Sequence, residues 1–223
     1  MRRAIGCAVL FAVTSLVAAG CVGGSTDTSE QDKERLKAYT LDQAPADIPV
    51  KLGINFDNKV TLIGARIEPA GVVRPGQKVK ITMYWKADKD VEDGWNLFTH
   101  VIDGSGERIL NIDNVGPLRE WRETRQVMPP SLWLPGKVYV DEQEFVVPNN
   151  VKTDKIQFTT GIWKDNDRLK IVGGPRDREN RGIVATIQTG VAPGAAAGAA
   201  AANTRVPMLR LDRLDKETKI TID

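Results

Sequence analysis

The chain has 223 residues, of which 31 are basic and 29 acidic, with two cysteines and one histidine. Its formal net charge of +2 comes from Arg2 and Arg3 in an acid-free N-terminal segment, and a near-neutral remainder argues against nucleic acid or anionic lipid held by bulk charge. Cys7 lies in that same segment. Cys21 alone remains beyond it, so no disulfide can form there, and a packed core in one domain of about 140 residues must supply stability.

In chain order, residues 1–20 read as a secretory signal peptide. Met1-Arg2-Arg3 is the positive start, Ala4 to Val17 the apolar run, and Ala18-Ala19-Gly20 the small residues before the cut. The run is short for a membrane span and has no stop-transfer flank. The ending AAGC resembles the lipobox of bacterial lipoproteins, although Ala18 stands where the usual pattern has Leu. The resemblance implies that Cys21 is the lipidated first residue, anchored by acyl chains that contribute about 0.8 kcal/mol per buried methylene. The alternative is ordinary secretion with Cys21 as a free thiol. Val22, in place of the Asp that retains lipoproteins in the inner membrane, points to the outer membrane, with the protein facing the periplasm.

Residues 21–47 include GGSTDTSEQDKE, which has almost nothing to bury and reads as a flexible lipidated tether, with one or two helical turns at EQDKERLKAY. Residues 48–189 change to short alternating runs between turn residues, the mark of an all-β domain. VKLGINF and VTLIGARIEP flank a tight turn at Asp57-Asn58-Lys59. In KVKITMYWKA, Val79, Ile81, Met83 and Trp85 share one face, with Lys78, Lys80, Thr82 and Lys86 on the other. WNLFTHVID is apolar on both registers, as a central strand covered on both faces would be. RILNID, KVYVDEQEFVV, KIQFTTGIW, RLKIV and IVATIQT complete about nine strands, which predicts an antiparallel two-layer β-sandwich, jelly-roll-like. Residues 190–204 are an Ala/Gly-rich linker, and residues 205–223 a short β tail.

The ordered set PGQKVKITMYWKA, LFTHVIDGSGERI, LWLPGKVYVDE and GIWKDNDRLKIVGGPRDRENRGIVATI resembles a known module. It is similar to the extracytoplasmic β-sandwich appended to protein-mannosyltransferase-like membrane glycosyltransferases of bacteria. The likeness spans about Val60 to Thr189 and implies a jelly-roll-like accessory module in the glycan-handling periplasm. Transferase activity is not implied, since the catalytic membrane core is absent. Where the family has a compact turn before its tryptophan, this chain has GPLREWRETRQVMPPSLW. The tail TKITID also resembles the opening strand of a family 9 carbohydrate-binding module, the start of a truncated second module; the alternative is an added edge strand.

His100 has no cysteine or second histidine as a co-ligand, so a zinc site would need carboxylates throughout, and no G-x-S-x-G presents a serine to it. A packing or hydrogen-bonded role is expected. Asp103-Gly-Ser-Gly-Glu107 reads as a hairpin turn. A weak calcium site would have to gather Asp103, Asp113 or Asp141 through folding. Trp133 is expected to be structural. Arg119, Trp121, Arg122 and Arg125 cluster in a loop expected to project from the sandwich, where an indole can stack on a sugar ring and guanidinium groups can fork onto hydroxyls or anions. The plainer alternative folds Trp121 and Trp133 back over the open end of the sandwich. With no phosphate loop or readable catalytic carboxylate pair, the sequence points to a non-catalytic, cofactor-free binding module contacting a glycan or envelope polymer. The alternative is a structural lipoprotein docking onto an envelope protein complex.

Overall fold

The computed structural model describes residues 30–122 and 124–192. The signal segment, Cys21, the first part of the tether, most of the Ala/Gly-rich linker and the 205–223 tail lie outside them. Among the described residues no helix is long and apolar enough to cross a membrane.

Residues expected to belong to the tether are built into the body of the protein. Glu30–Leu36 forms a helix, α1, followed by a 3₁₀ turn at Lys37–Tyr39 and a two-residue strand, β1, Thr40–Leu41. Leu36 is 1% exposed and joins the main core, which anchors an otherwise polar segment. The sandwich therefore begins before residue 48. One buried leucine among charged residues is too faint a periodic signal to reveal this.

The strands follow the predicted runs. β2 (Val50–Phe56) and β3 (Val60–Glu68) meet at a turn in which Asp57 and Asn58 both have positive φ and Lys59 N–H donates to Phe56 O at 3.0 Å. This is the type I′ geometry that matches strand twist and favours Asp and Asn. β4 (Lys78–Ala87), β5 (Asn96–Asp103) and β6 (Arg108–Asn111) come next, then the short pair β7 (Trp121–Arg122) and β8 (Arg125–Gln126). β9 (Val138–Val146), β10 (Lys155–Lys164), β11 (Asp167–Arg168), β12 (Ile171–Gly173) and β13 (Gly182–Gln188) complete the domain.

The first sheet has the order β1-β9-β4-β3-β2-β12; the second runs β11-β10-β5-β6, with β13 also paired to β10. All the pairings are antiparallel. The predicted run RLKIV is divided: Arg168 ends β11 in the second sheet, and Ile171 opens β12 in the first. This repeated exchange between layers gives the expected all-β sandwich.

Trp85, Met83, Ile81 and Phe56 from the first sheet meet Leu97, Val101, Ile156, Phe158 and Ile162 from the second in one core. Val79, Ile81, Met83 and Trp85 are all fully buried, as their shared face requires. β5 lies between β10 and β6, and its residues 96–102 are buried on both faces. Leu97 and Val101 point into the core, which leaves Phe98, His100 and Ile102 on the outer face.

Candidate functional site

The loop from Leu118 to Trp133 does not project; it closes one end of the sandwich. Gly116 has φ +107°, and a Cβ there would sit 2.0 Å from Glu142 O, so the chain lies hard against β9 and turns Leu118 and Arg119 inward. Arg119 is wholly buried. Its Nε reaches both Asp141 carboxylate oxygens at 3.1 and 3.0 Å, and Nη2 reaches Oδ2 at 2.6 Å. Trp85 Nε1 donates to the same Oδ2 at 3.1 Å. This corrects the expectation that Arg119 contacts a ligand: a guanidinium with no solvent access and a bidentate internal partner cannot meet one.

The other three predicted residues lie on the β7–β8 hairpin. Trp121 is half-buried, and its Nε1 donates to Asn114 Oδ1. Arg122 is exposed beside Glu120 at 3.4 Å and Asp32 of α1 at 3.7 Å. Arg125 is half-buried, opposite Arg122 in the β7–β8 pair. Arg35 of α1 grips Glu120 at 3.0 Å, so the loop is held from outside as well. Trp133 is structural, stacked on Tyr139 with ring centroids 4.7 Å apart and donating to Met128 O at 3.1 Å.

A different cavity holds the chemistry. On the outer face of the second sheet, side chains of β5, β6, β10 and β11 enclose about 330 Å³. Phe98 forms its floor, 3% exposed and lying over its cross-strand partner Gly161, where a Cβ would come within 2.5 Å of the ring. Only glycine admits that approach. Arg168 stacks above the same ring, its Cζ 5.1 Å from the centroid, and donates to Glu179 O. Trp163 stands directly across from Arg168, next to the turn carrying Asp165 and Asn166.

His100 sits on this wall with its ring 4.9 Å from that of Phe98. Its Nε2 lies 3.4 Å from Arg108 Nη1 and 3.8 Å from Asp113 Oδ1. Asp113 is fixed from three sides: Thr99 N–H donates to Oδ1 at 2.7 Å, Asn111 Nδ2 donates to Oδ2 at 2.9 Å, and His100 faces it. Burial works to raise the Asp113 carboxyl. The contacts with His100, Thr99 N–H and Asn111 outweigh it, so the group lies below the ordinary carboxylate range. Two nitrogens of the lining residues, His100 Nδ1 and Trp163 Nε1, are shielded from solvent and have no hydrogen-bond partner. Orphaned buried polar atoms are uncommon and call for a specific cause.

No protein-family model and no curated protein matches the chain.

A larger apolar slot of about 690 Å³ lies beside Val50, Ile67, Pro69, Val72 and Ile187. Its one arginine, Arg66, is already paired with Asp47 at 2.7 Å, and it gathers no comparable set of polar groups. Among the described residues no group of three or more His, Cys, Asp or Glu side chains could hold a metal. The three carboxylates considered for calcium have separate partners. Asp103 Oδ1 accepts from Ser105 N–H, Ser105 Oγ and Glu107 N–H inside its own hairpin; Asp113 serves the cavity; Asp141 serves Arg119.

Sequence reasoning placed Phe98, His100 and Ile102 on one register, but missed Arg108, Asn111, Asp113, Trp163 and Arg168 as a set. The available signal was the outer face of β5. A phenyl ring and an imidazole buried on a solvent-side register require a cover, and the neighbouring strands must supply it.

Proposed function

We propose that the chain is a lipid-anchored, non-catalytic binding module of the bacterial cell envelope, contacting a glycan or envelope polymer through the cavity on the outer face of the second sheet. The observation that carries this is the lining itself: an indole, a phenyl ring, two guanidinium groups, an imidazole, two amides and three carboxylates around a single hollow. Sugar hydroxyls both donate and accept, so a mixed set of donors and acceptors beside an aromatic side chain suits a polyhydroxyl ligand. The AAGC signal ending supports lipid on Cys21, with the outer membrane as the address and the periplasm as the compartment.

Titration with deacylated lipopolysaccharide oligosaccharide, followed by tryptophan fluorescence and calorimetry, tests the glycan reading. Binding is expected in the parent and in Trp121→Ala, and is expected to be lost in Trp163→Ala while the fold is retained. Loss in Trp121→Ala alone would return the site to the β7–β8 loop. The apolar slot favours a second reading, docking onto an envelope protein complex; a stoichiometric complex with a purified envelope protein, without any glycan signal, would decide for it. Mass spectrometry of the mature N-terminus tests the anchor.

A further inference from the structure

The cavity contains a contact that can exist in only one protonation state of His100. Nε2 faces two groups of opposite character, the Arg108 guanidinium at 3.4 Å and the Asp113 carboxylate at 3.8 Å. A guanidinium only donates and a carboxylate only accepts. Nε2 can therefore serve Arg108 only as a bare lone pair, with the imidazole neutral and its proton on Nδ1. It can serve Asp113 only when it carries a proton. Arg108 forms no ion pair among the described residues, and the imidazole is its one polar contact. Other arginines of the domain are held by carboxylates, Arg35 by Glu120, Arg66 by Asp47 and Arg181 by Asp177. Arg108 is exposed and free to move once that contact is lost.

Resting on the reading of this cavity as a glycan site, we propose that His100 is a proton-driven switch. Neutral His100 holds Arg108 against the wall; protonated His100 turns to Asp113 and releases Arg108 into the cavity, where it meets the ligand. The groups facing the imidazole from each packed element decide whether the exchange is affordable. From β6 come Arg108 and the uncharged Asn111, and from the following turn comes Asp113. From β10 come Thr159, directly opposite, and Trp163. From β11 and its turn come Arg168, Asp165 and Asp167. Asp113, fixed by Thr99 N–H and Asn111, is a ready counter-charge that needs no rearrangement. Histidine is the ordinary side chain that changes charge between about pH 5 and 8. The ligand gains the released guanidinium on the acid side.

The chain has one histidine, so its imidazole resonances are unambiguous. Two-bond nitrogen–proton NMR across that pH range, on the whole mature protein, should show the neutral ring as the Nδ1–H tautomer. In Arg108→Met the preference should be lost and the midpoint of His100 should rise, because a cation that opposes protonation is gone. A neutral Nε2–H ring in the parent, or the same tautomer and midpoint in Arg108→Met, overturns the switch. Affinity for deacylated lipopolysaccharide oligosaccharide should be about fivefold to tenfold higher at the acid end, a modest coupling, and the bound sugar should raise the His100 midpoint by the same factor. His100→Gln should bind without that pH dependence. Binding in the parent that ignores pH also overturns the switch. If the oligosaccharide does not bind at all, the glycan reading fails, and the tautomer experiment still decides the switch.

Discussion

At the scale of single residues, Arg119 departs from the role its sequence neighbourhood suggested, while His100 is packed and hydrogen-bonded as expected. Arg119 stands among charged and aromatic residues, as a surface contact would, yet it is buried against Asp141 and Trp85. Removing one partner of a buried pair leaves an unpaired charge, which typically costs about 3–5 kcal/mol, whereas replacing both by apolar groups is often neutral. Arg119→Met should therefore lower stability by about 3–5 kcal/mol, and Arg119→Met with Asp141→Leu should recover most of the loss. Urea unfolding of the two variants checks this, and equal losses would show that the pair does not act as a unit. Asp113 gives a pH prediction. Its carboxyl is lowered in the folded state, so its stabilisation is complete above the ordinary value of about 3.9 and is lost as pH falls below it through the folded value. The stability gap between the parent and Asp113→Asn should be present at about pH 5 and close below about 4. A gap that persists into acid would place the contribution in packing.

At the scale of elements, legibility followed periodicity. Val79, Ile81, Met83 and Trp85 announce β4 because one face alternates with lysines, and Asp57-Asn58 announces its turn because both residues tolerate positive φ. The segment from Ile112 to Trp133 has no period to read. It is organised by single side chains reaching distant backbone groups, which no local pattern encodes. Gln126 is the clearest case. Its Oε1 accepts from Leu97 N–H at 2.8 Å, and its Nε2 donates to Leu97 O at 2.8 Å and Asp113 O at 3.1 Å. The amide thus takes the place of a neighbouring strand at the start of β5 and pins the turn that carries Asp113. Gln126→Leu should cost about 1–3 kcal/mol for each backbone group left buried without a partner. Amide exchange at Leu97 should quicken, and ligand binding at the His100 cavity should weaken with it. Unchanged protection of Leu97 would mean that water replaces the amide and the loop is not what holds β5 in place. The cavity was illegible for the same reason: its residues come from four strands, and only their pairing brings Trp163 and Arg168 beside His100.

At the scale of the whole molecule, the segment from Glu30 to Leu41 is part of the sandwich. β1 covers the edge of β9, Leu36 enters the core, and Ile48 with Leu41 closes over Tyr84 and Val138 on the outer face of the first sheet. Arg35 meanwhile ties α1 to Glu120 of the end-closing loop. Residues 22–29 reach at most about 29 Å when extended. A lipid on Cys21, as proposed, would thus hold the start of α1 within about that distance of its attachment point. A chain starting at Asp42 should melt well below one starting at Glu30, since burial of Leu36 alone contributes about 2 kcal/mol. It should also associate with itself as concentration rises, because an uncovered β9 edge offers unpaired backbone groups. Differential scanning calorimetry and sedimentation of the two chains separate these effects. A lower melting temperature without association would mean that β9 is protected by its own charged side chains, Glu142 and Glu144 among them. Equal melting temperatures would show that α1 and β1 only rest on the domain.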